Sequence, residues 1–340
     1  MQNFRLLTGL CLGLSTGLLT ACPGPDPAPL EAKWTVPVEA QGGALLSVLS
    51  LDGELWISGA ADSEGGTLLH LADGAWSRET TGSDQDLWWV AAHPDGRLYM
   101  VGGGGTLLER SLDGNFTPLT VPTDMTLYGI WFNADGQGWA VGGDPLADGM
   151  TEPRGTMLRI DGSTVEVDAA APAELSTHLM FKVWGRPGQS EEAYAIGDQG
   201  YLLRWDGTTW SESDSGTNAR LITIAGDDST RAIVGGTNQP TLLLDEGDGL
   251  IDRAAELPVG AQGLNGVFVR DGQLAAVGNL GYAAIRDEEG LWTSDYLGMG
   301  GLHAVSIDAQ GEIWAVGGDL LGLDDGYVAH FGTSSVPTRP

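Results

Sequence analysis

Carboxylates are the most abundant chemistry-bearing groups of this 340-residue chain, with 46 Asp and Glu against 16 Lys and Arg. Two carboxylates at a fixed separation can hydrolyse a glycosidic bond, but in so acidic a chain no pair stands out by spacing. The five histidines (His70, His93, His178, His303 and His330) are scattered, with no HExxH and no close pair, so the residues do not point to a zinc enzyme. "DEGDGLID", Asp245 to Asp252, lacks the Asp-x-Asp-x-Asp-Gly spacing of a calcium loop. Calcium on the acidic loops is allowed by charge but supported by no motif. "GLSTG", Gly13 to Gly17, matches a nucleophile-elbow pattern but lies in an apolar leader without the strand–turn–helix context it requires. No catalytic residue, metal ligand or cofactor is assigned from sequence.

The formal charge of −30 sets the partners that the surface can accept. Such a field repels nucleic acid and anionic lipid headgroups, so no nucleic-acid partner is expected. An apolar fraction of 42% supports a folded chain with a sizeable core. Both cysteines, Cys11 and Cys22, lie near the start, so neither a disulfide framework nor a cysteine–zinc site is expected further on.

The first residues carry an address. Arg5 precedes an apolar run from Leu6 to Leu19, too short for a comfortable membrane span, and reads as a signal peptide over residues 1–21. "LTAC", Leu19 to Cys22, resembles the bacterial lipobox, which implies cleavage before Cys22, acylation there, and a membrane partner held through the lipid. Residues 22–31 form a proline-rich tether, "PGPDPAP" at its centre. Pro23, rather than Asp, follows the cysteine, so the expected location is the bacterial envelope at the outer membrane.

The remaining chain repeats. "LWISG", "LYMVGG", "GWAVGG", "AYAIGD", "RAIVGG", "LAAVGN" and "IWAVGG" place their first glycines at Gly59, Gly102, Gly142, Gly197, Gly235, Gly278 and Gly317, about 43 residues apart on average. That period, with four short strands per repeat, belongs to propeller blades. Each repeat opens with an L-x-x-V strand, turns at an Asp-Gly such as Asp52-Gly53, passes through the glycine-marked strand, and closes through a third and fourth strand. The expected fold is an all-β, seven-bladed β-propeller over residues 32–333, with a C-terminal tail over 334–340. The last repeat supplies only three strands, ending "GYVAHFG". "AKWTVPVEA", Ala32 to Ala40, has the missing form, with Trp34 at the phase of Trp76, Trp210 and Trp292. It is therefore expected to be the outer strand of the last blade, closing the ring three strands to one.

Repetition also separates architecture from function. His70, Arg159, Arg204, Arg286 and His330 share one third-strand position, so they read as structural partners of acidic residues between blades. Trp56, Trp139 and Trp314 read as blade packing, and Asp73, Asp113, Asp161 and Asp206 as turn residues. The position after the first Leu or Met of each inner strand varies instead: Leu46, Trp88, Tyr128, Phe181, Ile222, Asn265 and His303. The loops after the second strands add Asp144, Asp198, Asn279 and Asp319. Trp88, Tyr128, Phe181, His303, Asn265, Asp144, Asp198, Asn279 and Asp319 are thus expected to form an aromatic and acidic rim at the channel mouth, suited to a sugar, a peptide or a cation above a ring.

At "EIWAVGGD" and "LLRWDGTTWSESDSGT" the chain resembles bacterial secreted propellers with VWAVG…WDGTTW repeats, in the BNR/Asp-box and photosystem II assembly-factor-like class. The resemblance covers about residues 32–332 and is weakest in the fifth repeat. It implies the propeller fold and little chemistry. Asp206-Gly207 and Asp73-Gly74 are adjacent, whereas a true Asp box separates Asp from Gly by one residue, which counts against a sialidase. The reading that follows is a lipid-anchored, monomeric envelope module that binds a glycan, peptide or protein ligand on the mouth face. Its alternatives are a glycoside hydrolase or lyase using mouth carboxylates, and a scaffold subunit of an envelope complex.

Overall fold

A computed structural model describes residues 31–39, 42–145 and 154–339. The signal peptide, Cys22, most of the tether, and part of the long loop between Gly142 and Thr156 lie outside the described residues. Seven four-stranded antiparallel sheets form the blades of an all-β propeller. The inner strands of blades I to VII are Leu45–Leu51, Leu87–Ala92, Leu127–Phe132, Met180–Gly185, Leu221–Gly226, Leu264–Arg270 and Gly301–Ile307. Each lies beside the next, and the last lies beside the first, which closes the ring.

The glycines that mark the repeat are set by sterics rather than by turn geometry. They are Gly59, Gly102, Gly142, Gly197, Gly235, Gly278 and Gly317, and none has a positive φ. A Cβ on Gly102, Gly142 or Gly317 would meet a backbone carbonyl oxygen of its own blade's inner-strand entry at 2.0 Å, and one on Gly235 would meet Arg220 O at 1.9 Å. Only a residue without a side chain lets the entering chain pass so close.

The register of every inner strand slips immediately beyond this crossing. The breaks fall between Leu45 and Ser47, Leu87 and Trp89, Leu127 and Gly129, Met180 and Lys182, Leu221 and Thr223, Leu264 and Gly266, and Leu302 and Ala304. In each blade the skipped residue is the variable one identified from sequence. A bulge of this kind unpairs a residue from the ladder and re-aims its side chain.

The repeated third-strand bases stand opposite second-strand aromatics: Trp56 with His70, Trp139 with Arg159, Tyr194 with Arg204, and Trp314 with His330. His70 stacks on Trp56 at 3.6 Å between ring centroids and meets Glu54 Oε2 at 2.9 Å. His330 meets Glu312 Oε2 at 2.9 Å, and Arg204 meets Glu192 Oε1 at 3.0 Å. The acids in these three pairs stand at or immediately before the first residue of the second strand of the same blade, so the pairing is within blades. Arg286 with Glu246, at 2.8 Å, joins blade VI to blade V in the inter-blade manner expected of the whole set. Trp139, fully buried, packs among Trp131, Trp205 and Trp210. Its Nε1 donates to Asp168 Oδ2 at 2.9 Å, and Trp210 Nε1 donates to the same oxygen at 3.1 Å.

Lys33–Val38 pairs antiparallel with Asp324–Gly332, Trp34 opposite Phe331, and so completes blade VII from the other end of the chain. Pro37 fits an outer strand, where one edge makes no ladder bond. The tail then returns over this seam: Arg339 N donates to Pro37 O at 3.0 Å, and Trp76 Nε1 donates to Pro337 O at 2.8 Å.

Candidate functional site

Several of the bulged residues meet one another across blades. Trp88 lies edge-on to Tyr128 with centroids 5.0 Å apart and planes at 75°. Tyr128 reaches Phe181 at 5.8 Å, and Trp88 also reaches His303 at 5.9 Å. Arg220, which enters blade V, places its guanidinium carbon 5.7 Å from the Phe181 ring centre. Leu46 is fully buried, with Trp88 packed on its cluster. Asn265 donates to Leu302 O at 2.9 Å and to Asn279 Oδ1 at 3.2 Å. Rings from blades VII, II, III and IV thus form a continuous arc, with amides from blade VI beside it.

The carboxylates beside this arc are engaged by their neighbours. Asp198 Oδ1 accepts from Leu179 N at 3.1 Å and faces His178 Nδ1 at 3.3 Å. Asp319 accepts from Leu321 N at 2.9 Å, and Asp144 pairs with Arg154. Asn279 Nδ2 donates to Thr237 O at 3.3 Å. The loops therefore use these side chains to hold their own backbone and neighbours, while the aromatic residues are partly buried.

The third position of each inner strand adds residues that the sequence reading passed over. Ser47, Gly129, Thr223, Gly266 and Ala304 are small or hydroxylated, and Trp89 and Lys182 are the exceptions. Lys182 is 4% exposed. Its Nζ donates to Tyr128 O at 2.7 Å and lies 3.9 Å from the Trp89 ring centre. Burial pulls its pKa down to about 7. Burial, followed by the Lys182 charge, lowers His303 to about 4, while its Nδ1 contact with Leu46 O at 2.5 Å opposes the shift. Burial raises Tyr128. The signal for Lys182 was its break from the repeat: only Lys33 shares its residue type in the chain.

No family model matches the chain, and no curated protein does. Solved structures do. Virginiamycin B lyase from Staphylococcus aureus aligns with a TM-score of 0.69 at 12% identity, over 88% of this chain and 99% of its own. The WD40 β-propeller domain of Doa1 gives 0.65 at 12%, over 89% and 98%. YCF48 bound to D1 peptide gives 0.63 at 14%, over 92% and 100%. At such identities the likeness is one of fold, and it places this chain with the β-propellers.

Proposed function

We propose that this protein is a binding module of the bacterial envelope, anchored through Cys22, that takes a peptide or glycan ligand in the channel mouth. The observation that carries the reading is the bulge at the same step of all seven inner strands, which removes one residue per blade from the ladder and fills that position with rings in blades II, III, IV and VII. Aromatic residues at a partly buried site offer large contact area at little entropic cost. YCF48, similar in fold, is seen with a peptide bound, which is compatible with this use. The carboxylate-based enzyme reading has less support, because Asp144, Asp198 and Asp319 already serve local partners.

A peptide and glycan array probed with the chain lacking residues 1–29 should give ligands whose signal drops at least about tenfold in the Trp88→Ala, Tyr128→Ala double variant, the cost of losing two aromatic anchors. Undiminished binding by that variant overturns the mouth as the recognition surface. The anchor is tested separately: cells given labelled palmitate should transfer label to the parent chain and none to Cys22→Ala. A parent chain that takes up no label refutes the lipid anchor.

A further inference from the structure

Lys182 is the anomaly of the inner wall. Its stem crosses blade III at Gly129, where a Cβ would come within 3.2 Å of Lys182 Cδ, and its ammonium ends against blade II at Trp89. One of its three donors is used, by Tyr128 O, and among the described residues no carboxylate pairs with it. From the other side His303 approaches the same blade at Trp88. Its contact with a carbonyl fixes a proton on Nδ1, since only an N–H can donate to Leu46 O. That leaves Nε2 without a protein hydrogen bond among the described residues. Two nitrogen bases thus stand at the arc of rings, His303 as its blade VII member and Lys182 against Tyr128 O and the Trp89 ring, in a protein of net charge −30. A buried cation without a counter-ion is costly, and an anion brought by a ligand removes that cost.

We propose that the channel neck is a carboxylate-binding site in which Lys182 Nζ and the Nε2 of His303, which takes up a proton as the ligand enters, donate to the two oxygens of a peptide C-terminus whose last side chains lie among Trp88, Tyr128 and Phe181. This rests on the mouth being the recognition surface. The ring geometry favours a peptide over a sugar: Trp88 and Tyr128 meet edge-on at 75°, so the two rings share no common plane on which a pyranose could lie. Binding takes up protons, because a carboxylate stabilises the protonated form of each base. Affinity therefore falls as pH rises above about 4, where free His303 is neutral, and falls further above about 7, where free Lys182 loses its proton. The other groups facing this neck are the Tyr128 hydroxyl, with Asp144 and Arg220 acting on it from either sign.

The full-length chain labelled with 13C at lysine Cε should give two resonances, Lys33 serving as internal control. Saturating phenylpropionate, a carboxylate with an aromatic tail, should raise the Lys182 midpoint by about one pH unit or more, a tenfold preference for the charged form, and leave Lys33 unmoved. Phenylpropionamide should leave both unmoved. The tripeptide Gly-Ala-Phe should act as phenylpropionate does, and its C-terminal amide should not. An unmoved midpoint, or an equal effect of acid and amide, overturns the site. A shift with galacturonate and none with the tripeptide overturns the assignment to peptide. Lys182→Met, which keeps the apolar stem, should fold and lose the distinction between tripeptide acid and amide. If it binds the array ligands unchanged while Trp88→Ala, Tyr128→Ala does not, the neck fails and the mouth stands.

Discussion

Removing residues 31–39 is expected to lower the melting temperature by at least about 10 °C and to broaden the transition. The segment carries Val38, buried, and Trp34 and Val36, packed against the blade VI–VII core. Burying side chains of this kind contributes roughly 1.5–3 kcal/mol each, so their joint loss approaches about 5 kcal/mol, a large share of a typical stability of about 5–15 kcal/mol. Two further costs follow. Asp324–Gly332 becomes an unpaired edge, open to association, and the tail loses Pro37 O, the acceptor for Arg339 N. Differential scanning calorimetry of the shortened chain measures the effect. A melting temperature within about 2 °C of the parent would show that the strand is a frayed end and that the ring holds without it.

Trp139→Ala is the most damaging single substitution we expect, at about 3–5 kcal/mol. The ring is fully buried between blades III and IV, so its loss opens a cavity walled by Trp131, Trp205 and Trp210. It also deprives Asp168, itself 4% exposed, of one of two indole donors. Trp139→Phe separates the two contributions, since it restores most of the volume and none of the hydrogen bond. Urea unfolding should place it near the midpoint between Ala and parent. Equal stability of Phe and parent would mean that Trp210 alone satisfies Asp168.

The ring was legible in the sequence because each blade repeats the same steric demand. Gly142 and Gly317 are glycines for one reason, the carbonyl 2.0 Å from where a Cβ would lie, and a demand met in every blade leaves a period. The closing strand was legible for the converse reason: a repeat that lacks its outer Trp must find one, and Trp34 was the residue without a blade. Other features left no such trace. Asp168 lies in an insertion with no counterpart in the other repeats, so nothing marked it as the partner of Trp139 and Trp210. Lys182 sits one residue beyond the variable position, at a phase held by small or hydroxylated residues in every other blade but blade II, where it is Trp89, and its meaning depends on Gly129 in the preceding blade making room for its stem. The aspartates of the second-strand loops look alike in sequence whether their oxygens face solvent or a backbone N–H; only the fold distinguishes Asp198 capping Leu179 from a free carboxylate.

In blades I to VI the third and fourth strands are joined by a short connection, such as the turn at Asp73-Gly74. In blade VII the same two strands belong to opposite ends of the chain, with Lys33 directly opposite Gly332. Covalent order and spatial order are therefore independent here. A turn linking Gly332 to Lys33 would make the seventh blade the equal of the others and leave a ring with no privileged beginning. Any of its exposed hairpins could then serve as the new pair of ends in a permuted chain of identical architecture.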